Sequence, residues 1–140
     1  MKNRLGFVLW VLVLILALPG AGGDAVDIAD TRFLSSPAIS KDHIAFAYAG
    51  DLWVADVDGK NVRRLTSDDG IEYGPVFSPD GKRITFSAQY DGNRDVYVVP
   101  VEGGIPKRLT WHPDYDNTRG FTPDGSAVLF VSPRLTGVTS

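Results

Sequence analysis

The chain has 140 residues, 44% of them apolar and 22% charged, which is the balance of a folded globular protein and sets aside a disordered one. Asp and Glu number 17 against 14 Lys and Arg, and cysteine is absent. That composition disfavours a phosphate-binding surface and excludes disulfides and thiolate metal centres, so the fold has to rest on packing. At the start of the chain Lys2 and Arg4 precede an apolar run from Phe7 to Leu18, followed by the breaker Pro19-Gly20 and the small residues Ala21-Gly22-Gly23. This order reads as a helical secretory signal peptide over residues 1–23, cleaved after Gly23 or Ala25. The run is too short for a stable membrane span, which needs roughly 20 apolar residues. The expectation is an exported mature chain, periplasmic or secreted; the rivals are a retained anchor, and a cytoplasmic protein if the segment is no signal.

Beyond the leader, short β-prone segments follow one another. Ile44–Tyr48 and Leu52–Val57 are separated by Gly50-Asp51, and Asp58-Gly59 comes after them. Three landmarks then recur at one offset. Asp51-Leu52-Trp53-Val54 returns 44 residues later as Asp95-Val96-Tyr97-Val98, Arg64-Leu65-Thr66 as Arg108-Leu109-Thr110, and Phe77-Ser78-Pro79-Asp80-Gly81 as Phe121-Thr122-Pro123-Asp124-Gly125. Ser40-Lys41-Asp42-His43 is a contracted first copy of the last of these. In the Ser-Pro-Asp-Gly segment proline presets φ for the first corner of a tight turn, aspartate favours the bend and glycine accepts positive φ.

A period in the forties with about four short strands per unit is that of a β-propeller blade. The predicted fold is all-β: an incomplete propeller of two full four-stranded blades and part of a third, with repeats over about 31–66, 75–110 and 119–140 and essentially no helix after the leader. A propeller needs at least four blades to close. The chain is therefore expected to be a fragment of a longer polypeptide, stopping where the earlier repeats supply their Asp-aromatic strand.

The segments Asp51-Leu52-Trp53-Val54, Phe77-Ser78-Pro79-Asp80-Gly81-Lys82 and Asp95-Val96-Tyr97-Val98-Val99-Pro100 resemble the propeller repeats of tricorn-type serine proteases, a repeat type shared with TolB-like propellers. The run from Gly103 to Pro113, with Gly120-Phe121-Thr122-Pro123-Asp124-Gly125 after it, is similar to the tricorn blade junction. Together these cover about residues 31–135. The resemblance implies a large multi-domain peptidase whose propellers filter or guide peptides toward a distant catalytic region. No catalytic residue of that region falls on this sequence.

Candidate chemistry within the chain is sparse. Only His43 and His112 could serve as bases, and no Gly-x-Ser-x-Gly elbow is present, so both histidines read as loop residues and no catalytic site is assigned. Asp91, Asn93 and Asp95 alternate like the first ligands of a calcium loop. Val96 stands where the loop needs glycine and the closing glutamate is missing, so the segment reads as an inter-strand turn. Asp114 and Asp116 near His112 form a second oxygen-rich group without further ligands. No metal or cofactor is assigned. Trp53 and Tyr97 occupy equivalent positions and are expected to pack between blades, whereas Trp111 either lines an opening or staples a loop. The basic pairs Arg63-Arg64 and Lys107-Arg108 are isolated and read as solvated strand ends, which argues against nucleic acid. The expected partners are peptides or proteins and the remaining blades of the same polypeptide, with an oligomer possible. The functional expectation is a peptide-presenting segment of a tricorn-like peptidase; the alternative is a non-enzymatic TolB-like periplasmic propeller that binds protein partners.

Overall fold

The computed structural model describes residues 34–135, so the leader expected over residues 1–23 lies outside the described residues. The first sheet is built from β1 (Ser35–Ile39), β2 (His43–Tyr48), β3 (Asp51–Asp56) and β4 (Arg63–Arg64), paired antiparallel in chain order. The second repeats it with β5 (Glu72–Phe77), β6 (Arg83–Ala88), β7 (Asp95–Pro100) and β8 (Lys107–Arg108). A third sheet begins with β9 (Asn117–Phe121) and β10 (Val128–Val131), and a single 3₁₀ turn follows at Pro133–Leu135. The structure is thus all-β, with the successive four-stranded antiparallel sheets of an incomplete propeller. The strands that pack closest across sheets are the first of each, since β5 lies against both β1 and β9, so these line the inner side.

The turn chemistry explains the repeated landmarks. In the Ser78–Arg83 connection the Ser78 amide donates to the Arg83 carbonyl at 2.8 Å and the Gly81 amide to the Ser78 carbonyl at 2.8 Å. The Asp80 carboxylate accepts from the Ser78 hydroxyl at 2.5 Å and from the Lys82 amide at 3.1 Å. Thr122 and Asp124 reproduce this in the third repeat, with the Thr122 hydroxyl donating to Asp124 at 2.5 Å and the Thr122 amide to the Ala127 carbonyl at 2.9 Å. These bonds hold the Asp124 carboxyl down at about 2 and lower that of Asp80. The contracted copy keeps the principle, because the Ser40 hydroxyl accepts from the His43 amide at 3.0 Å.

Period-two alternation then decides what is buried. Ala45 and Ala47 on β2 and Leu52 and Val54 on β3 share the face turned to the second sheet. They meet Ile84, Phe86, Tyr97 and Val99 from that sheet, and the contact forms the hydrophobic core. Phe86 and Tyr97 are cross-strand neighbours with stacked rings whose centroids are 5.8 Å apart. The opposite face of the second sheet meets β9 through polar contacts: the Thr85 and Thr118 hydroxyls are 3.0 Å apart, and the Thr118 amide donates to the Ser87 hydroxyl at 2.8 Å.

The same alternation puts Trp53 and Tyr97 on the corresponding face of their sheets, the one turned away from the next sheet. Tyr97 is 4% exposed because the first sheet covers it. Trp53, paired with Phe46, lies on that same face of the first sheet, before which no sheet is described. It stays half-buried, edge-on to Tyr48 with ring centroids 5.9 Å apart, its indole N–H donating to the Tyr48 carbonyl at 3.2 Å.

Candidate functional site

Three loops gather at one end of the sheets: β4–β5 (65–71), β6–β7 (89–94) and β8–β9 (109–116). The Gln89 amide donates to the Ile71 carbonyl at 3.1 Å, and the Asn93 side-chain amide to the His112 carbonyl at 2.5 Å. The Asp116 amide donates to the Arg94 carbonyl at 2.8 Å. Gly70 lies so close to the next loop that a Cβ there would run into the Gln89 carbonyl oxygen and the Tyr90 ring.

Beneath the loops each junction between sheets holds a buried carboxylate at the start of the inner strand. At the first junction Glu72 accepts from the Leu52 amide at 2.7 Å, from the Thr66 hydroxyl at 2.5 Å and from the Tyr90 phenol. Burial pushes the Glu72 carboxyl above its ordinary range despite these donors. Burial together with the adjoining Glu72 also raises the Tyr90 phenol. At the second junction, 44 residues on, Asp116 stands for Glu72 and Arg134 for Tyr90, so an ion pair replaces a phenol–carboxylate hydrogen bond. Asp116 is one methylene shorter. The Thr110 hydroxyl donates instead to Asp95 at 3.0 Å while accepting from the Val96 amide at 3.0 Å.

The basic pairs are more than solvated strand ends. Arg108 donates to Asp95 at 2.5 Å, to Asp91 at 3.0 Å and through Nε to the Thr110 carbonyl at 2.8 Å. Arg64 makes the equivalent contacts with Asp51 at 2.9 Å and the Thr66 carbonyl at 2.8 Å. Arg63 crosses to the second sheet and donates to the Val101 carbonyl. Asp51, Arg64 and Thr66 therefore recur together because they form one bonded unit that ties the third strand to the outermost one. Spacing displayed the recurrence, but pairing across a sheet could not be read from it.

The rim of this end is aromatic. Trp111 is 68% exposed and Tyr115 59% exposed, with Ile71 also open to solvent. The Arg94 guanidinium lies 4.4 Å from the Tyr73 ring centroid and 5.6 Å from that of Tyr115, within cation–π range, and donates to the Asn117 side-chain oxygen at 2.9 Å. Such a rim, hydrogen-bonded below and carrying exposed aromatic rings among acidic side chains above, offers stacking surfaces to an extended ligand. Arg94, Tyr73 and Tyr115 were not legible as a group, because they come from three separate segments and none belongs to a repeated landmark.

The sequence-selected residues are dispersed. His112 sits in the rim, its Nδ1 accepting from the Asp114 amide at 3.2 Å. His43 begins β2 at the other end of its sheet, where its Nε2 is 4.0 Å from Asp56. Asp91 and Asp95 converge on Arg108, Asp95 also accepting from Thr110, while Asn93 donates to the His112 carbonyl, so two of the three are tied to a cation and not gathered as ligands. Asp114 is exposed while Asp116 is buried against Arg134, so these two are also separated. Among the described residues no group of three or more His, Asp or Glu side chains is placed to hold a metal ion.

A tricorn protease N-terminal β-propeller domain model matches residues 31–140. Tricorn protease homolog 1 of Streptomyces coelicolor is 37% identical over 99 residues, covering 69% of this chain and 9% of that protein. Among solved structures, the tricorn protease superposes with a TM-score of 0.59 at 29% identity, over 66% of this chain and 10% of that one. A putative TolB from Agrobacterium tumefaciens superposes with a TM-score of 0.63 at 27% identity, over 71% of this chain and 38% of that one. The chain thus spans about a tenth of the length of the tricorn relatives it matches. It belongs to the tricorn protease N-terminal β-propeller family.

Proposed function

We propose that this segment presents or filters peptide substrates for a serine peptidase region elsewhere in a longer polypeptide. The observation that carries the reading is the loop-bearing end of the sheets, where exposed Trp111 and Tyr115 stand over a hydrogen-bonded frame, in a chain of the tricorn N-terminal propeller family. In this reading the rim supplies contact area for recognition, and hydrolysis belongs to the other region. Export by residues 1–23, with repeats over 31–66, 75–110 and 119–140, belongs to the same proposal.

The test is hydrolysis of unstructured peptides by the full polypeptide, compared with Trp111→Ala and Tyr115→Ala. An aromatic contact adds ~0.5–1.5 kcal/mol, so KM should rise about two- to tenfold with kcat nearly unchanged. Unchanged KM in both variants would remove the rim from substrate recognition.

A second reading, a TolB-like propeller that binds protein partners without hydrolysis, draws on the likeness to the Agrobacterium TolB structure. It predicts no peptidase activity in the full polypeptide and capture of a folded protein partner that Trp111→Ala weakens.

A further inference from the structure

Five Asp-Gly steps occur in the chain, at Asp58-Gly59, Asp69-Gly70, Asp80-Gly81, Asp91-Gly92 and Asp124-Gly125. Such a step can close on itself. The glycine amide nitrogen attacks the aspartate Cγ, one water is expelled as the new C–N bond forms, and the succinimide reopens with water at either carbonyl, giving aspartate or isoaspartate. No oxidant, reductant or further reagent takes part. The reaction requires a glycine nitrogen free to turn toward its neighbour's carboxyl group, so hydrogen bonds to that N–H suppress it.

The structure divides the five steps into two classes. The Gly59, Gly81 and Gly125 amides donate to the carbonyls of Asp56, Ser78 and Thr122 at 2.9, 2.8 and 2.8 Å. The carboxylates of those steps are also held: Asp58 by the Lys60 amide at 3.0 Å, Asp80 by Ser78 and the Lys82 amide, and Asp124 by Thr122 and Ser126. By contrast, neither the Gly70 nor the Gly92 amide donates a hydrogen bond among the described residues. Asp69 is exposed, and its carboxylate accepts no hydrogen bond among them. The Asp91 side chain is 68% exposed, with one contact, to Arg108 at 3.0 Å. Both open steps lie in the rim loops, whereas the three closed ones lie in turns at the other end of the sheets.

We propose that Asp69 and Asp91 are sites of spontaneous isoaspartate formation, confined to the rim and recognisable by an isoaspartyl-directed carboxyl methyltransferase. The modification inserts a methylene into the loop backbone and turns the original carboxylate position into main chain. At Asp91 this detaches the contact with Arg108, which keeps Asp95 as its partner. At Asp69 it lengthens the loop that packs on Gln89 and Tyr90. The inference is independent of what the rim binds.

The test is ageing of the full native polypeptide at neutral pH and physiological temperature. Labelling by the methyltransferase and peptide mapping by mass spectrometry then locate the isoaspartate, with the chemically unfolded chain aged alongside. The unfolded chain should isomerise at all five steps. In the native chain Asp69 and Asp91 should exceed Asp58, Asp80 and Asp124 by roughly tenfold, about the factor that one net hydrogen bond supplies. Equal native rates at all five steps would overturn the assignment. So would native protection of Asp69 and Asp91 as complete as that of the other three.

Discussion

At the scale of single residues, equivalence in sequence is not equivalence in environment. Trp53 and Tyr97 hold the same repeat position, and their equal treatment as inter-blade aromatics follows from spacing alone. The described structure covers Tyr97 with the first sheet and leaves Trp53 half open. Tyr97→Ala should therefore lower stability by ~3–5 kcal/mol and Trp53→Ala by about half as much, read from urea midpoints. Ala49 shows a different gap in sequence reading. With φ of 54° at Ala49 and 94° at Gly50, the Tyr48–Asp51 hairpin has the two positive-φ corners of a type I′ turn, yet alanine carries no turn signal. Ala49→Gly should relieve a left-handed alanine and raise stability by up to ~1 kcal/mol in the same measurement. Glu72 makes the residue scale pH-dependent. Its folded-state proton affinity is raised by burial, so the stability it contributes is fully present below its ordinary value of 4.5 and is lost as pH rises through the raised value. Glu72→Gln removes that titration, so the stability of wild type relative to the variant should decline upward from pH 4.5. A difference that is flat with pH, or that grows, would contradict the burial of this carboxylate.

At the scale of elements, the two middle strands of each sheet were legible and the flanking ones were not. Val, Ile, Phe and Tyr alternation exposes β2, β3, β6 and β7, and the turn residues Gly50, Asp58-Gly59, Pro79-Asp80-Gly81 and Asp91-Gly92 delimit them. The innermost strand hides behind its own irregularity. β1 and β5 carry bulges at equivalent places, around Ser36-Pro37 and Gly74-Pro75, with φ of 53° at Ser36 and 55° at Gly74. Gly-Pro read from sequence argues against a central strand, whereas at a bulge on the inner edge it breaks no ladder bond that the strand needs. The outermost strands β4 and β8 have two residues each, too short for any periodicity. What holds them is the Asp–Arg–Thr unit, and its two copies differ in burial. Arg108 is 24% exposed over Asp95 at 1%, while Arg64 is 48% exposed over Asp51 at 11%. Removing Arg108 leaves the wholly buried Asp95 charge uncompensated, whereas the half-exposed Arg64 is already screened by water, so its pair contributes less. Arg108→Ala should thus lower stability by ~3 kcal/mol and Arg64→Ala by no more than ~1 kcal/mol. Amide hydrogen exchange should show the loss concentrated in β7 and β8 for the first variant.

At the scale of the whole molecule, the decisive feature is that apolar surface stays open at both ends of the run of described sheets. On the leading side Leu34, Pro37, Ile44, Phe46 and Val62 line an open groove. Between the second sheet and the two strands of the third, Val98, Leu109, Phe121, Val128 and Phe130 surround a larger one, with Ile105 at its edge 92% exposed. Ile84 and Phe86, which bury against the first sheet, have Val128 and Phe130 as their counterparts 44 residues on, turned toward the second sheet. The repeat therefore places large aliphatic and aromatic side chains on the same face of each sheet, and what an uncovered face lacks is the contact that Ile84 and Phe86 make with the first sheet. Contiguous apolar faces of this kind drive association in water. A polypeptide limited to residues 31–140 should self-associate with rising concentration and bind a hydrophobic dye. One carrying further repeats downstream should do both less, since each added sheet covers the face before it. Sedimentation velocity across a concentration series separates the two. Concentration-independent monomers of the 31–140 polypeptide, without dye binding, would show that these faces are satisfied without neighbouring blades and would undo the packing argument at its largest scale.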